Sequence, residues 1–149
     1  MPLALLVVLL GSPTSYAEYS RNLKAHKAAF EELAAMCQHD TGMRRIAKDF
    51  TAPAVGTPGS IDSGRHQKYI RLFEQLHIQG GMLRRDDGPV LLVADVSGRP
   101  GHSMAHGYAY VSEGEPSPLV QDVDAAKSRP RSTVVYKRIT KHWYEFDLR

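Results

Sequence analysis

The chain has 149 residues, 42% hydrophobic and 23% charged, with 12 Gly, 9 Pro, one Cys and a net charge of +3. It is too long for a disulfide-stapled mini-protein, too apolar for a disordered tail and too short for two ordinary domains, so one small globular domain is expected. The net charge is small and no recognised nucleic-acid module appears, so no nucleic-acid partner is expected.

Residues 1–17 read as a leader. Leu3 to Leu10 is an uninterrupted apolar run, followed by Gly11, Ser12 and Pro13 and then by Ser15-Tyr16-Ala17, which places small residues at the −3 and −1 positions of a signal-peptidase site. The run falls short of the roughly 20 apolar residues that span a bilayer and fits the core of a secretory signal. No Lys or Arg precedes it, which departs from the usual signal and leaves a buried strand or helix start as the alternative. The expectation is a signal peptide over 1–17, a single domain over 18–149, no transmembrane helix in the mature chain, and a periplasmic or secreted location.

The first element is a helix from about Glu18 to His39. Tyr19, Leu23, His26, Phe30, Leu33 and Cys37 recur at spacings of four and three, with Lys24, Lys27, Glu31 and Glu32 between them, the signature of one apolar stripe. Cys37 lies on that stripe and reads as a buried small apolar residue; an intermolecular disulfide and a reactive thiol are the alternatives. Gly42 ends the helix. Met43 to Phe50 reads as a second short helix, with Ile46 and Phe50 four apart, and the Pro/Gly-rich stretch at about 51–64 reads as a loop. A further helix is expected from Arg65 to about His77, ended by Gly80-Gly81.

Beyond residue 81 the texture becomes extended. Met82 to Arg85 and Pro89 to Ser97 flank Asp86-Asp87-Gly88, a turn that joins a hairpin. Three further strands are expected, over Ser103–Ser112, Thr133–Thr140 and Trp143–Leu148. The fold class is therefore α+β, N-terminal helices followed by an antiparallel β-meander of about five strands.

Residues able to carry chemistry are few. Gly101-His102-Ser103-Met104-Ala105 lies one residue from a nucleophile elbow, but an elbow needs a strand before it and a helix after it, and the residues that follow look extended. His102 and His106 would share a metal ion on a helix; on a strand they stand about 13 Å apart and cannot. No metal-ligand set and no cofactor motif is apparent. Asp95 interrupts the apolar run Val90 to Val96, so in a central strand it must be paired or open onto a site. Asp95, His102, Ser103 and His106 are thus the candidate catalytic residues. The seven histidines are otherwise scattered, although they allow the charge to respond between about pH 5 and 7.

Charge is arranged in blocks. Residues 113–126 carry −4 and residues 127–149 carry +5, which reads either as a mutually neutralising, solvated loop or as a basic face for an acidic partner. Arg129, Arg131, Arg138, Lys141 and Trp143 are the candidate partner-binding residues, since Trp and Arg dominate interface hot spots.

Leu76-His77-Ile78 with Gly80-Gly81, Arg84 with Asp87-Gly88, Gly107-Tyr108-Ala109-Tyr110, Pro118-Leu119-Val120, Tyr136-Lys137-Arg138-Ile139 and Trp143-Tyr144 resemble the layout of a group of small proteobacterial exported proteins with no assigned activity. The resemblance covers about the last half of the chain, rests on short motifs, and implies a bacterial envelope protein without implying any functional residue. Three functional readings follow. The first is a small exported binding protein, most concretely a periplasmic immunity or inhibitor protein against an envelope-directed toxin or hydrolase. The alternatives are a small envelope hydrolase using Asp95, His102, Ser103 and His106, and a structural protein of the envelope.

Overall fold

The computed structural model describes residues 15–86, 88–97, 104–123 and 133–149. The apolar run 3–10 and the candidates His102, Ser103, Arg129 and Arg131 lie outside the described residues.

The long apolar stripe forms two helices, α1 (Tyr16–Ala25) and α2 (Lys27–His39), with His26 between them at φ −121°, ψ 33°. Leu23 and Phe30, seven residues apart, stay on the buried side across the break, so one stripe serves both helices. Ser15 caps α1, its Oγ accepting from the Glu18 amide at 3.3 Å. Tyr16 is held as well: its hydroxyl donates to the Arg138 carbonyl at 2.9 Å, and the Lys137 ammonium sits 3.6 Å from its ring centroid. The junction after Ala17 therefore falls inside the first turn of α1, downstream of its cap.

The stretch expected to be a short helix over Met43 to Phe50 is instead a hairpin. Strands β1 (Arg45–Ile46) and β2 (Thr51–Ala52) pair antiparallel, and the Ala47 amide donates to the Phe50 carbonyl at 2.7 Å to close the turn. A helix this short nucleates poorly, whereas pairing in an extended conformation buries Ile46 completely and leaves Phe50 59% exposed. The supposed apolar pair does not share a face.

Helix α3 (Ser63–Leu76) starts on Asp62, whose side chain accepts from the Arg65 amide at 2.7 Å. It ends at His77 rather than at the glycines. His77 is left-handed at φ 58°, and the Ile78 amide donates to the Phe73 carbonyl at 2.8 Å, which is the hydrogen bond of a Schellman stop. Ile78 itself is buried, completing the hydrophobic contact of that motif.

Five more strands follow: β3 (Gly81–Arg84), β4 (Val90–Ser97), β5 (Met104–Tyr110), β6 (Val134–Arg138) and β7 (Trp143–Leu148). The α+β antiparallel architecture stands, with seven strands among the described residues in the order β2-β1-β3-β4-β5-β7-β6. The two added strands are the β1–β2 hairpin, and the meander breaks at its end. Strand β6 lies at the outer edge of the sheet, and β7 returns between β5 and β6.

Alternation along the strands gives the sheet two apolar faces. Leu92, Tyr108 and Trp143 meet Tyr19, Leu23 and Phe30 of the helices in one core, while Leu91, Val93, Ala109, Tyr144 and Phe146 form a second cluster. A β-bulge sits where β4 opposes β5: Val93 faces Gly107 and Asp95 faces His106, leaving Ala94 as the extra residue.

Candidate functional site

The bulge sets the first of two polar arrangements. By displacing the register one residue, it brings Asp95 opposite His106, and β7 places Asp147 on the other side of His106. His106 Nε2 lies 3.1 Å from Asp147 Oδ2, with the aspartate fully buried and the imidazole 26% exposed. Glu145, two residues along β7, is also buried at 3% exposure, and Arg149 approaches Asp147 at 3.9 Å. The hydrogen bond to Asp147 raises the His106 pKa above its ordinary value against the opposing effect of burial, with the Asp147, Glu145 and Asp95 charges adding in the same direction.

This arrangement has a direct consequence for stability. Because the folded pKa lies above the unfolded value near 6.5, protonated His106 stabilises the fold; the contribution is complete below that value and is lost as pH rises through the folded pKa. The melting temperature of the wild type is expected to fall more steeply as pH rises above about 6.5 than that of His106→Gln, measured by thermal unfolding in parallel buffers. Two superimposable pH profiles would show that the pair contributes nothing.

Of the candidate catalytic residues, the fold thus brings together Asp95 and His106 and adds Asp147. Among the described residues no group of three or more His, Cys, Asp or Glu side chains is arranged to hold a metal ion. Cys37 does not join any reactive arrangement. It is 1% exposed, and burial pushes its thiol up to about 12, so it stays protonated and inert at neutral pH. Beside it, Asp40 accepts from Arg65 Nε at 2.8 Å and from the Tyr69 hydroxyl at 2.7 Å, clamping the end of α2 to α3.

The second arrangement is a groove of about 560 Å³ between the α1–α2 pair and the β6–β7 hairpin. Its floor is aromatic. Tyr110 lies 5.0 Å from Trp143 and 5.9 Å from His142, centroid to centroid, and Phe30 supports Trp143 from below at 5.3 Å. His142 is oriented by its Nδ1, which donates to the Val111 carbonyl at 2.9 Å. The rim is basic: Lys24, Lys27 and Lys141 line it, all exposed, against one carboxylate, Glu31, which stands 3.8 Å from Lys27. Lys24 and Lys141 form no ion pair with any described residue.

The candidate partner-binding residues divide between the two faces of the sheet. Lys141 and Trp143 line the groove, whereas Arg138 stacks on Tyr144 at 5.0 Å, pairs with Glu115 and donates to the Lys141 carbonyl at 3.2 Å. Tyr144 belongs to the second apolar cluster, so Arg138 is occupied on the face away from Trp143. Sequence reasoning missed Lys24, Lys27, Tyr110 and His142. Their types were visible, but nothing local says that the polar side of α1 and α2 would border the end of β7. It also missed Asp147, because Glu145 and Asp147 alternate with Tyr144 and Phe146 as on a strand with one solvated side, yet both carboxylates are buried.

No protein-family model matches the chain, and comparison with curated proteins and with solved structures finds no match. Among the described residues no helix is long and apolar enough to cross a membrane.

Proposed function

We propose that this is a small exported bacterial binding protein that works through the groove between α1–α2 and the β6–β7 hairpin, most concretely as an immunity or inhibitor protein occluding an envelope-directed toxin or hydrolase. The observation that carries the reading is the pairing of an aromatic floor with a lysine rim. Half-buried Tyr110 offers aromatic surface over Trp143, which at 6% exposure firms the floor beneath it, and Lys24 and Lys141, which pair with no described carboxylate, favour an acidic partner in both encounter and orientation. A site of about 560 Å³ falls within the range of ordinary binding clefts.

The test is protection. A gene for an envelope-directed toxin or hydrolase is expected beside that of the chain; co-expression of the chain with its product is expected to restore growth, and a Lys24→Glu/Lys141→Glu variant, altered only at exposed positions, is expected to lose that effect while keeping its far-ultraviolet circular dichroism. Equal protection by both proteins removes the groove from the reading, and no protection by either ends it. Export is tested separately: after cell fractionation the protein is expected in the periplasm or medium with an N-terminus at Glu18, and protein retained in the cytoplasm with an intact Met1 overturns secretion.

Hydrolysis is the second reading, and the cross-strand row Asp95, His106 and Asp147 is what favours it. A carboxylate-oriented imidazole is the base half of a nucleophilic pair. Ser103 would supply the hydroxyl and His102 a further base.

A further inference from the structure

The groove does not end at its aromatic floor. Gln38 and Tyr110 also line a second cavity, of about 590 Å³, that extends to the end of the sheet where β3 gives way to β4 and β5 runs into the following loop. The two halves differ in chemistry. The first is bounded by Trp143, Tyr110 and three lysines; the second is lined by Arg85, Ser112 and Ser117 together with two carboxylates, Glu113 and Glu115, so an acidic stretch fits only the first half.

An occupant filling both halves must be elongated, anionic and apolar at one end, and must present hydrogen-bonding groups along its remaining length. A fatty acid meets the first two conditions and fails the third, because an alkyl tail in the second cavity would desolvate serine and arginine side chains without pairing them. An extended peptide meets all three, since its main chain offers a donor and an acceptor at nearly every residue.

We propose that the paired cavities bind an extended acidic peptide segment of a partner protein. One large apolar side chain of that segment rests on Trp143 and Tyr110, flanking carboxylates reach Lys24, Lys27 and Lys141, and the following main chain runs past Gln38 toward Arg85. The proposal rests on the reading of the chain as a binding protein and names the chemistry that its partner presents.

Trp143 is the sole tryptophan of the chain, so its emission reports on the groove directly. The probes are acetylated, amidated octapeptides of Asp, Glu and Ser with one Phe placed at each of the four central positions in turn. Controls replace every acidic residue by Lys, or the Phe by Ala, and dodecanoate serves as the lipid comparator. At least one acidic peptide is expected to shift Trp143 emission saturably. Its affinity should fall about tenfold or more in Lys24→Glu/Lys141→Glu and on raising salt from about 50 to 300 mM, since rim charges are screened. The Lys-substituted peptides should not bind, and Phe→Ala in the peptide should weaken binding by a similar factor.

Absence of saturable binding by every acidic peptide overturns the proposal, as does binding by dodecanoate alone. The two layers separate cleanly. Protection that the double variant abolishes, together with peptides that do not bind, leaves the binding-protein reading standing and removes the peptide. Peptides that bind in a chain giving no protection do the reverse.

Discussion

Gly107→Ala is expected to lower the unfolding free energy by about 3 kcal/mol or more, toward the upper end of overpacking costs, and to bring the melting temperature down by on the order of 10 °C. A β-carbon at this position would sit on the Leu92 carbonyl oxygen and 2.8 Å from the Ala94 amide nitrogen. Both obstacles are backbone atoms of β4, paired to β3 on one side and to β5 on the other, so neither can swing aside as a side chain would. The cause is the bulge: the extra residue Ala94 folds the β4 main chain over Gly107, and only a residue without a side chain tolerates that approach. Urea unfolding of the variant should show a lower midpoint at an unchanged slope. A loss under about 1 kcal/mol would mean that the bulge opens easily. His106 is the next residue along β5, so the variant should also weaken the wild-type pH dependence attributed to the His106–Asp147 pair.

Phe30→Ala is expected to cost about 3–5 kcal/mol, the usual range for an aromatic truncated in a closed core. Phe30 is fully buried, with ring centroids 4.8 Å from Tyr108 and 5.3 Å from Trp143. It joins the helices to the central strand β5 and to the start of β7. A stability loss alone would be unspecific, but the position predicts a local signature too. With its support gone, Trp143 gains water, and its emission should shift to longer wavelength under conditions where the variant is still folded by circular dichroism. Phe30→Leu, which keeps most of the volume, should retain most of the stability and near-native emission. Large destabilisation with unchanged Trp143 emission would show that the groove floor does not depend on the helix beneath it.

Where sequence periodicity was long, it was readable. Tyr19, Leu23, Phe30, Leu33 and Cys37 are all buried as one stripe, while its sixth member, His26, is half-buried where the expected single helix breaks into α1 and α2, and the segment between Arg84 and Val90 separates the paired strands β3 and β4. Where the pattern was short, it misled. Ile46 and Phe50 have helical spacing, but eight residues hold too few turns for spacing to outweigh the strand partner that β3 offers. The polar positions were the least legible. Asp95 stood out because it broke an apolar run, and the fold gives it His106 as a neighbour. Asp147 was hidden in plain alternation, since a buried carboxylate and a solvated one leave the same mark along a strand.

The sequence by itself determined the helical stripes, the antiparallel α+β class, the burial of Cys37 and the suspicion attached to Asp95 and His106, because each depends on patterns within a few residues of the chain. Only the tertiary structure decided that β7 lies inside β6, that a one-residue bulge aligns Asp95 with His106 and Asp147, and that Lys24 and Lys27 face Lys141 across Trp143. Lys24 and Trp143 are more than a hundred residues apart in the chain. Their meeting depends on strand order and register, which are chosen by the burial of whole faces rather than by any local preference.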